Sequence, residues 1–235
     1  MKTYKAVLFD AGNTLLYTSP SVAEIYHALA KQYGCQASVD EVREVSKRTY
    51  LELKEALFTG NPEYRVSDEE DLKRWTAITT ATFRQLGLND CADKIAEELV
   101  RTFKDPKIWR LFPEVIEVLS RLKSEGYKLG IISNWSSALL HLCAALGLER
   151  YMDVISVSAV VGWEKPSPRI FQKALSSIKV LPEEALYVGD TYQDDILGAR
   201  NVGMEAILID RLSINNYPGP RIQDLRELYP LVRCP

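Results

Sequence analysis

Five residues that could act on a charged group follow strand-like segments or lie in a proline-rich loop. Asp10 follows the apolar run VLF, Ser133 follows KLGII, and Asp190 follows ALYVG, with Asp195 five residues further on. Lys165 lies in the loop WEKPSP. A carboxylate at the end of a buried strand is partly desolvated and needs a partner. We therefore expect these side chains to serve one another or a shared ligand.

The two strand-end carboxylates, Asp10 and Asp190, would repel each other at one sheet edge unless a cation lay between them. Mg²⁺ suits this position because it prefers oxygen ligands. A carboxylate neutralised in this way can attack phosphorus and form an aspartyl-phosphate. Lys165 and the Ser133 hydroxyl would then balance charge on the transferring phosphoryl group. These residue types therefore indicate phosphoryl transfer at a magnesium site.

Such residues need a fold that brings strand ends together, and the second half of the chain predicts one. A first strand is predicted over residues 4–9, and predicted helices and strands alternate from Pro113 onward. The later strands are predicted at KLGIISN, DVISVS, ALYVGD and EAILID, with helices between them, and a short helix is predicted at IQDLRELYPLV. This alternation predicts an α/β protein with a Rossmann-like parallel-sheet core, which binds ligands at the carboxyl edge of its strands.

A long helical stretch separates the first strand from this alternating region. Between about Ser21 and Phe103, apolar residues recur at spacings of three and four with no convincing strand. Ser67, which precedes an acidic run, is predicted to cap one of these helices. The stretch is far longer than the dozen or so residues of a crossover. We predict an inserted helical domain at residues 17–104, and a core domain made of residues 1–16 and 105–235.

The composition is that of a globular protein and argues against several classes of function. The chain has 235 residues, of which 46% are apolar and 26% charged, and its net charge is −3. Charges of both signs are mixed along the chain and form no basic run that would favour nucleic acid or an anionic membrane, so a small ligand is expected. The N-terminus does not resemble a signal peptide, and no run approaches the ~20 apolar residues of a membrane span.

The cysteines and histidines narrow the metal and redox chemistry. With no C-x-x-C pair, the cysteines are expected to be unpaired thiols in a reducing cytoplasm. Only two histidines occur, so zinc sites and histidine-centred triads are not expected. The cysteines are Cys35, Cys91, Cys143 and Cys234.

Four motifs resemble those of the haloacid dehalogenase-like (HAD) hydrolase superfamily and occur in the same order. They are FDAGNTL, IISN, GWEKPSPRIFQKAL and VGDTYQDDILGARNVGM. The resemblance covers essentially the whole chain, and the last two stretches look most like the type named haloacid dehalogenase-like hydrolase domain-containing protein 3. It implies that the helical insertion is a mobile cap whose closure excludes water from the site.

The resemblance also implies roles for the residues that would handle the phosphoryl group. Asp10 would be the nucleophile, and Ser133, Asn134 and Lys165 would complete the catalytic set. Substrate binding would involve Thr14, Ser133, Asn134 and Lys165, with Thr14 also supporting the nucleophile loop.

A second set of residues is implied to hold Mg²⁺. Asp10 and Asp190 would be ligands through their carboxylates, and Gly12 would be a ligand through its backbone carbonyl. Asp195, with Asp194 beside it, would complete the metal site by orienting the waters of the ion.

Gly12 is the position at which the chain departs from the family pattern. Family phosphatases usually have a second aspartate there, which protonates the leaving group and then activates water. Metal binding need not suffer, because only the backbone carbonyl of Gly12 is used. General acid–base catalysis, typically worth about 10²–10⁴-fold, is lost. Asn13 cannot replace it, because an amide has no useful proton-transfer pKa.

We expect a Mg²⁺-dependent phosphatase that acts on a small phosphorylated metabolite through an aspartyl-phosphate. It would be cytoplasmic, would bind neither nucleic acid nor membrane, and could be a monomer or a dimer. Three alternatives remain open. One is a metal-independent 2-haloacid dehalogenase, and another is a carbon–phosphorus hydrolase that uses Lys47 or Lys54 as a Schiff base. The third is a non-catalytic binding protein on the same scaffold.

Several residues of the helical stretch, and one near the lysine motif, are candidates for substrate specificity. Their spacing favours packing or a solvated surface over a role in catalysis. They are Tyr50, Arg65, Arg74, Trp75 and Trp163.

Overall fold

The computed structural model describes residues 4–58, 63–213 and 217–232. The strands are β1 (Ala6–Phe9), β2 (Leu16–Thr18), β3 (Trp109–Leu111), β4 (Lys128–Ser133), β5 (Val154–Val157), β6 (Ala185–Gly189), β7 (Glu205–Ile209) and β8 (Arg221–Ile222). The helices are α1 (Val22–Gln32), α2 (Val39–Phe58), α3 (Asp68–Gln85), α4 (Ala92–Phe103), α5 (Val115–Ser124), α6 (Ala138–Ala145), α7 (Ser158–Val161), α8 (Pro168–Ile178) and α9 (Gly198–Asn201).

Six strands form a parallel sheet in the order β5-β4-β1-β6-β7-β8. Phe9, the last residue of β1, is paired with Ile131 on one side and with Val188 on the other. From β1 the chain runs outward through β4 and β5, and then returns to the other side through β6, β7 and β8. The crevice at such a reversal lies at the carboxyl ends of the central strands. The predicted α/β fold with its Rossmann-like parallel sheet is confirmed.

The chain folds into two compact units, Met1–Tyr17 with Leu111–Pro235, and Thr18–Arg110. The first unit contains the six-stranded sheet. Its central strands are buried, and an apolar cluster that includes Phe171 and Tyr187 packs α8 against the sheet, with the two rings 5.3 Å apart. Strands that are apolar on both faces are typical of a parallel sheet covered by helices.

The second unit contains the four helices α1–α4, which pack around their own apolar cluster. Tyr26 stacks on Phe83 in this cluster, with ring centroids 5.5 Å apart. Ser21 caps α1 in a capping box with Glu24, and Ser67 caps α3 by accepting a hydrogen bond from the Glu70 N–H. The predicted cap at Ser67 is confirmed.

The predicted C-terminal helix is shorter than expected. Ile222 lies in β8, and only Leu225–Leu228 is helical, as a single 3₁₀ turn that Asp224 caps. Ile222 pairs with Ile209 of β7, and Asp224 Oδ1 accepts from the Arg226 N–H, so the sheet and this cap delay the start of the helix. The segment DDILGARNVG also differs from the prediction, because a π-helical turn over Tyr192–Leu197 precedes α9.

Cys35, Cys91 and Cys143 are free thiols, as predicted, and Cys234 lies outside the described residues. Cys143 is buried, and burial raises the pKa of its thiol to about 12. Within the described ranges, none of the helices combines the length and the apolar character that crossing a membrane requires.

Asp71 is expected to make the stability of the helical unit depend on pH. Burial raises the pKa of Asp71 to about 6, against about 3.9 in an unfolded chain. The folded protein therefore binds more protons than the unfolded chain between these two values, and stability falls as pH rises through this window. Asp71→Asn should stabilise the protein at pH 8 by roughly 1–2 kcal/mol, and by much less at pH 4, as measured by urea unfolding.

Asp40→Asn is the matched control, because the Asp40 side chain is 86% exposed in the same unit. Its replacement should change stability by no more than about 0.5 kcal/mol at either pH, because water screens the exposed pair of Asp40 with Arg43. A gain in stability from Asp71→Asn that does not depend on pH would contradict the explanation by a raised pKa of Asp71.

Candidate active site

The sheet brings three of the predicted residues to one edge. Asp10 directly follows β1, and its N–H still donates to the Val188 carbonyl of β6, at 2.8 Å. Ser133 is the last residue of β4, and its hydroxyl donates to Asp10 Oδ1 at 2.9 Å. Asp190 directly follows β6, on the other side of β1. Neighbouring parallel strands thus place these side chains together.

Lys165 reaches the same point from the loop before α8. Its ammonium lies 2.6 Å from Asp10 Oδ1 and 2.6 Å from Asp195 Oδ1, and the Lys165 side chain is only 4% exposed. Burial alone would lower the pKa of Lys165, but the two adjacent carboxylates outweigh it and raise the pKa. Lys165 is therefore a buried cation that bridges two anions.

Tyr187 completes this network, although the sequence motifs do not indicate it. Its hydroxyl accepts from Lys165 Nζ at 3.1 Å and lies within hydrogen-bond distance of Asp195 Oδ1 (3.0 Å) and the Ile132 carbonyl (2.9 Å). The residue lies inside β6 and is fully buried. The sequence gives one indication of this role, which is a tyrosine among the aliphatic residues of β6. A buried Tyr hydroxyl usually has a hydrogen-bond partner.

Asp195 is held in place by the turn that follows β6. Its Oδ2 accepts from the Thr191 N–H at 2.9 Å, and the π-helical turn returns its side chain to the strand end. A Cβ on Gly189 would lie 2.3 Å from Asp195 Cγ. Gly189 is therefore required for this close approach, a requirement that the motif VGD alone does not show.

The loop after β4 is anchored to the lysine loop. Asn134 Oδ1 accepts from the Lys165 N–H at 2.6 Å, and Asn134 Nδ2 donates to the Lys165 carbonyl at 2.9 Å. The next residue, Trp135, donates its N–H to Ser158 Oγ at 3.0 Å, and that hydroxyl donates to the Trp135 carbonyl at 3.1 Å. Asn134 thus positions the backbone of Lys165.

The loop after Asp10 is held by Arg211, a residue that the sequence motifs did not indicate. Its guanidinium donates to the carbonyls of Asn13 (3.2 Å) and Thr14 (2.7 Å) and pairs with Glu114 at 2.8 Å. Thr14 is fully buried. Its hydroxyl has no hydrogen-bond partner among the described residues, so the predicted roles of Thr14 in loop support and substrate binding stay predictions.

Three carboxylates in this site have a geometry that fits a divalent cation. Asp10, Asp190 and Asp195 can each offer an oxygen atom, and these oxygens lie within 4.8 Å of one another. Burial, reinforced by the charges of Asp10 and Asp195, raises the pKa of Asp190 to about 7. Burial also raises the pKa of Asp10, against the effect of Lys165. Hard oxygen donors crowded in this way suit Mg²⁺.

Gly12 lies in the same loop, and a single side-chain atom comes close to it. A Cβ at this position would lie 3.3 Å from Cζ3 of Trp135. The position at which the family aspartate would begin is therefore next to the benzene edge of an indole.

Most candidate specificity residues of the helical unit pack against one another or lie at the surface. The rings of Tyr50 and Trp75 stack at 6.1 Å, and Arg74, which is buried, lies over the Phe58 ring at 5.0 Å. Arg65 is exposed and pairs with Glu63.

The two lysines considered for Schiff-base chemistry, and Trp163, make contacts with aromatic or charged neighbours or face solvent, and the indole N–H of Trp163 is buried without a hydrogen-bond partner among the described residues. Lys47 is exposed, and the ammonium of Lys54 lies 5.9 Å from the centre of the Tyr50 ring. Trp163, near the lysine motif, is covered by the guanidinium of Arg169 at 5.0 Å.

Comparisons with known proteins identify the family of the chain. Residues 4–203 match the family described as haloacid dehalogenase-like hydrolase. A haloacid dehalogenase-like hydrolase domain-containing protein 3 from Xenopus laevis is 32% identical over 87% of this chain and 84% of its own length. A glyceraldehyde 3-phosphate phosphatase from Methanopyrus kandleri is 30% identical over 97% of each chain.

A solved structure supports the same assignment. The crystal structure of a HAD phosphatase from Thermococcus onnurineus is 29% identical, has a TM-score of 0.67, and is matched over 97% of each chain. The predicted resemblance, including its domain-containing protein 3 type, is confirmed. The chain belongs to the haloacid dehalogenase-like hydrolase family.

Proposed function

We propose that this hydrolase is a Mg²⁺-dependent phosphatase that forms an aspartyl-phosphate on Asp10. The observation that carries the proposal is the buried Asp10–Lys165–Asp195 cluster with Asp190 beside it. It combines a carboxylate nucleophile, a cation for phosphoryl oxygens, and acidic groups for a metal ion. A binding protein without chemistry would have no need for this costly buried set of charges.

Asp10 is oriented for attack by bonds to one of its two oxygens. Ser133 and Lys165 both donate to Oδ1, which favours Oδ2 as the attacking atom or as the metal-facing atom. The Lys165 ammonium and the Ser133 hydroxyl, which both bond to Asp10, would shift part of that bonding to the oxygens of an incoming phosphoryl group. Preorganised donors of this kind stabilise charge that develops in the transition state.

The metal would be held by the carboxylates of Asp10 and Asp190 and by the Gly12 carbonyl. Both oxygens of Asp195 already accept hydrogen bonds, from Lys165 and Thr191, which favours orientation of the metal's waters over direct ligation. When bound, Mg²⁺ would neutralise the carboxylates and the phosphoryl oxygens, so that one anion can approach another.

The similarity to named phosphatases supports a small phosphorylated metabolite as the substrate. The relative from Methanopyrus kandleri is named for glyceraldehyde 3-phosphate, and the solved relative from Thermococcus onnurineus is named as a phosphatase. We also propose that the helical unit, Thr18–Arg110, is the cap domain predicted at residues 17–104. The free thiols at Cys35, Cys91 and Cys143 support a reducing compartment such as the cytoplasm.

Removal of divalent metal is expected to abolish turnover. With p-nitrophenyl phosphate and a panel of phosphorylated metabolites, EDTA should reduce the rate by at least about 10²-fold, and excess Mg²⁺ should restore it. The physical reason is that Asp10 and Asp190 would otherwise confront the phosphoryl dianion with uncompensated charge. Turnover that EDTA does not change would contradict the metal-dependent route.

A 2-haloacid dehalogenase is the second candidate, and Gly12 is the observation that favours it. A halide leaves without needing a proton, so the missing second acid would be no handicap. The crowded carboxylates of Asp10, Asp190 and Asp195 favour the phosphatase. Chloride release from 2-chloropropionate that persists in EDTA would reverse this preference.

A further inference from the structure

Trp135 is held beside the nucleophile by the loop after β4, which is tied down at three successive residues. Ser133 bonds to Asp10, Asn134 makes two bonds to the Lys165 backbone, and the Trp135 backbone makes two bonds with Ser158. These bonds give the indole a defined place next to the nucleophile loop. From there its Cζ3 atom faces Gly12, 3.3 Å from where a Cβ would lie.

The polar groups that contact Asp10 are already engaged and are not placed to donate a proton to a leaving group. The three N–H bonds of the Lys165 ammonium point to Asp10, Asp195 and Tyr187. The Tyr187 hydroxyl has the Ile132 carbonyl and Asp195 as acceptors, and both oxygens of Asp195 accept hydrogen bonds themselves. Within the sheet unit, the side chain closest to Gly12 is therefore an apolar ring, and the one carboxylate bonded to this loop, Asp190 through Asn13, is the proposed ligand of the metal.

This arrangement limits which phosphoryl compounds can react quickly. When Asp10 attacks phosphorus, the new bond is Oδ–P, and the bond to the leaving oxygen breaks with its electron pair on that oxygen. Without a proton donor, the oxygen must depart as an anion. The conjugate-acid pKa is about 4 for a carboxylate and about 10 for a phenolate, whereas an alkoxide is closer to hydroxide, whose conjugate acid water has a pKa of about 15.7.

We propose that the enzyme selects phosphoryl compounds with a delocalised oxyanion as the leaving group, such as acyl or aryl phosphates, and that Trp135 forms the wall that faces this group. The proposal rests on the proposed phosphatase function and names its substrate class. In the second step, water attacks the phosphorus of the aspartyl-phosphate, its proton passes to solvent, and Asp10 leaves as a carboxylate. This step also requires no acid.

The dependence of kcat/KM on the leaving group tests the proposal in the full-length wild-type enzyme with Mg²⁺. The substrates are acetyl phosphate, p-nitrophenyl phosphate, phenyl phosphate and ethyl phosphate, and the rate of Asp10→Asn is subtracted from each. Ethyl phosphate should react about 10²–10⁴-fold less efficiently than p-nitrophenyl phosphate, which is the factor that a general acid normally contributes. Values within tenfold of each other would overturn the proposal, because some group would then be protonating the leaving oxygen.

Gly12→Asp and Gly12→Asn form a matched pair of variants, nearly equal in size, of which only the aspartate can donate and accept a proton in catalysis. Gly12→Asp should raise kcat/KM for ethyl phosphate by roughly 10–10²-fold and leave acetyl phosphate within a few-fold. Gly12→Asn should not raise ethyl phosphate turnover. Both should also be made with Trp135→Leu, which relieves the 3.3 Å contact. An equal gain from both substitutions would overturn the proposal.

Failure of the proposed function gives a different result. If no substrate shows turnover above the Asp10→Asn background, the phosphatase assignment itself is wrong. Asp10-dependent turnover with a shallow dependence on the leaving group would leave the phosphatase assignment intact and refute only the selection by leaving group.

Discussion

Replacing Asp10 by asparagine is expected to abolish turnover of every phosphorylated substrate, by roughly 10⁴–10⁶-fold, as removal of a nucleophile does in other hydrolases. The amide keeps the size of the carboxylate, so the Ser133 hydroxyl can still donate to Oδ1, but its oxygen does not form a stable bond to phosphorus. Initial rates with p-nitrophenyl phosphate measure the loss. Intact-mass analysis of acid-quenched samples should show a phosphorylated wild-type chain and an unmodified variant.

Asp210→Asn is the matched control for this experiment. Asp210 is also a buried carboxylate directly after a strand of the same sheet, β7, but it lies near Arg221 and outside the cluster around Lys165. Its replacement should leave turnover within a few-fold of the wild type, provided that the variant is folded. If Asp10→Asn retained as much activity as Asp210→Asn, covalent catalysis by Asp10 would be wrong.

Much of this site could be predicted from sequence because its residues follow strands. In a parallel sheet the carboxyl ends meet at one edge, so the positions of Asp10, Ser133 and Asp190 along the chain imply their proximity in space. Lys165 required an additional step, because a loop residue has no fixed register with the sheet. The motif GWEKPSPRIFQKAL, and not the hydrophobic periodicity of the segment, indicated that Lys165 belongs to the catalytic set.

The contacts that depend on side-chain direction could not be predicted. Tyr187 alternates with aliphatic residues in β6, and a one-dimensional pattern does not show that its hydroxyl meets Lys165 and Asp195. Gly189 is informative only when the 2.3 Å approach of Asp195 is known. Arg211 reaches the nucleophile loop from the end of β7, nearly two hundred residues away in sequence.

Helix type was another limit of sequence reasoning. The segment after Asp190 has helical periodicity, but the Ile196 N–H bonds to the Thr191 carbonyl and forms a π turn. An extra residue in one turn changes the apolar spacing too little to be recognised. That turn returns Asp195 to Lys165, so a small local irregularity determines the geometry of the charge cluster.

Replacing Lys165 by methionine is expected to cost both stability and activity. The substitution leaves two carboxylates buried, Asp10 at 10% and Asp195 at 1% exposure, without their common cation. Breaking a buried pair in this way costs about 3–5 kcal/mol. Loss of a donor to the phosphoryl oxygens should reduce kcat by roughly 10²–10³-fold. Urea unfolding and initial rates measure the two effects.

Lys5→Met is the control for this substitution. Lys5 pairs with Glu184 in the same unit at 2.5 Å, but the Lys5 side chain is 65% exposed. Water screens such a pair, so its loss should cost no more than about 1 kcal/mol and should leave kcat unchanged. Equal effects of the two lysine substitutions would contradict the importance of the buried cluster.

The double variant Lys165→Met with Asp195→Asn separates the structural role of Lys165 from its chemical role. Removing both partners of a buried ion pair is often nearly neutral for stability. The amide oxygen introduced by Asp195→Asn could still accept the Thr191 N–H, so the turn after β6 should persist. We expect only part of the lost stability to return, because Asp10 stays buried without its cation. The value of kcat should stay low, because no cation faces the phosphoryl group. Recovery of both together would mean that Lys165 serves only to neutralise Asp10 and Asp195.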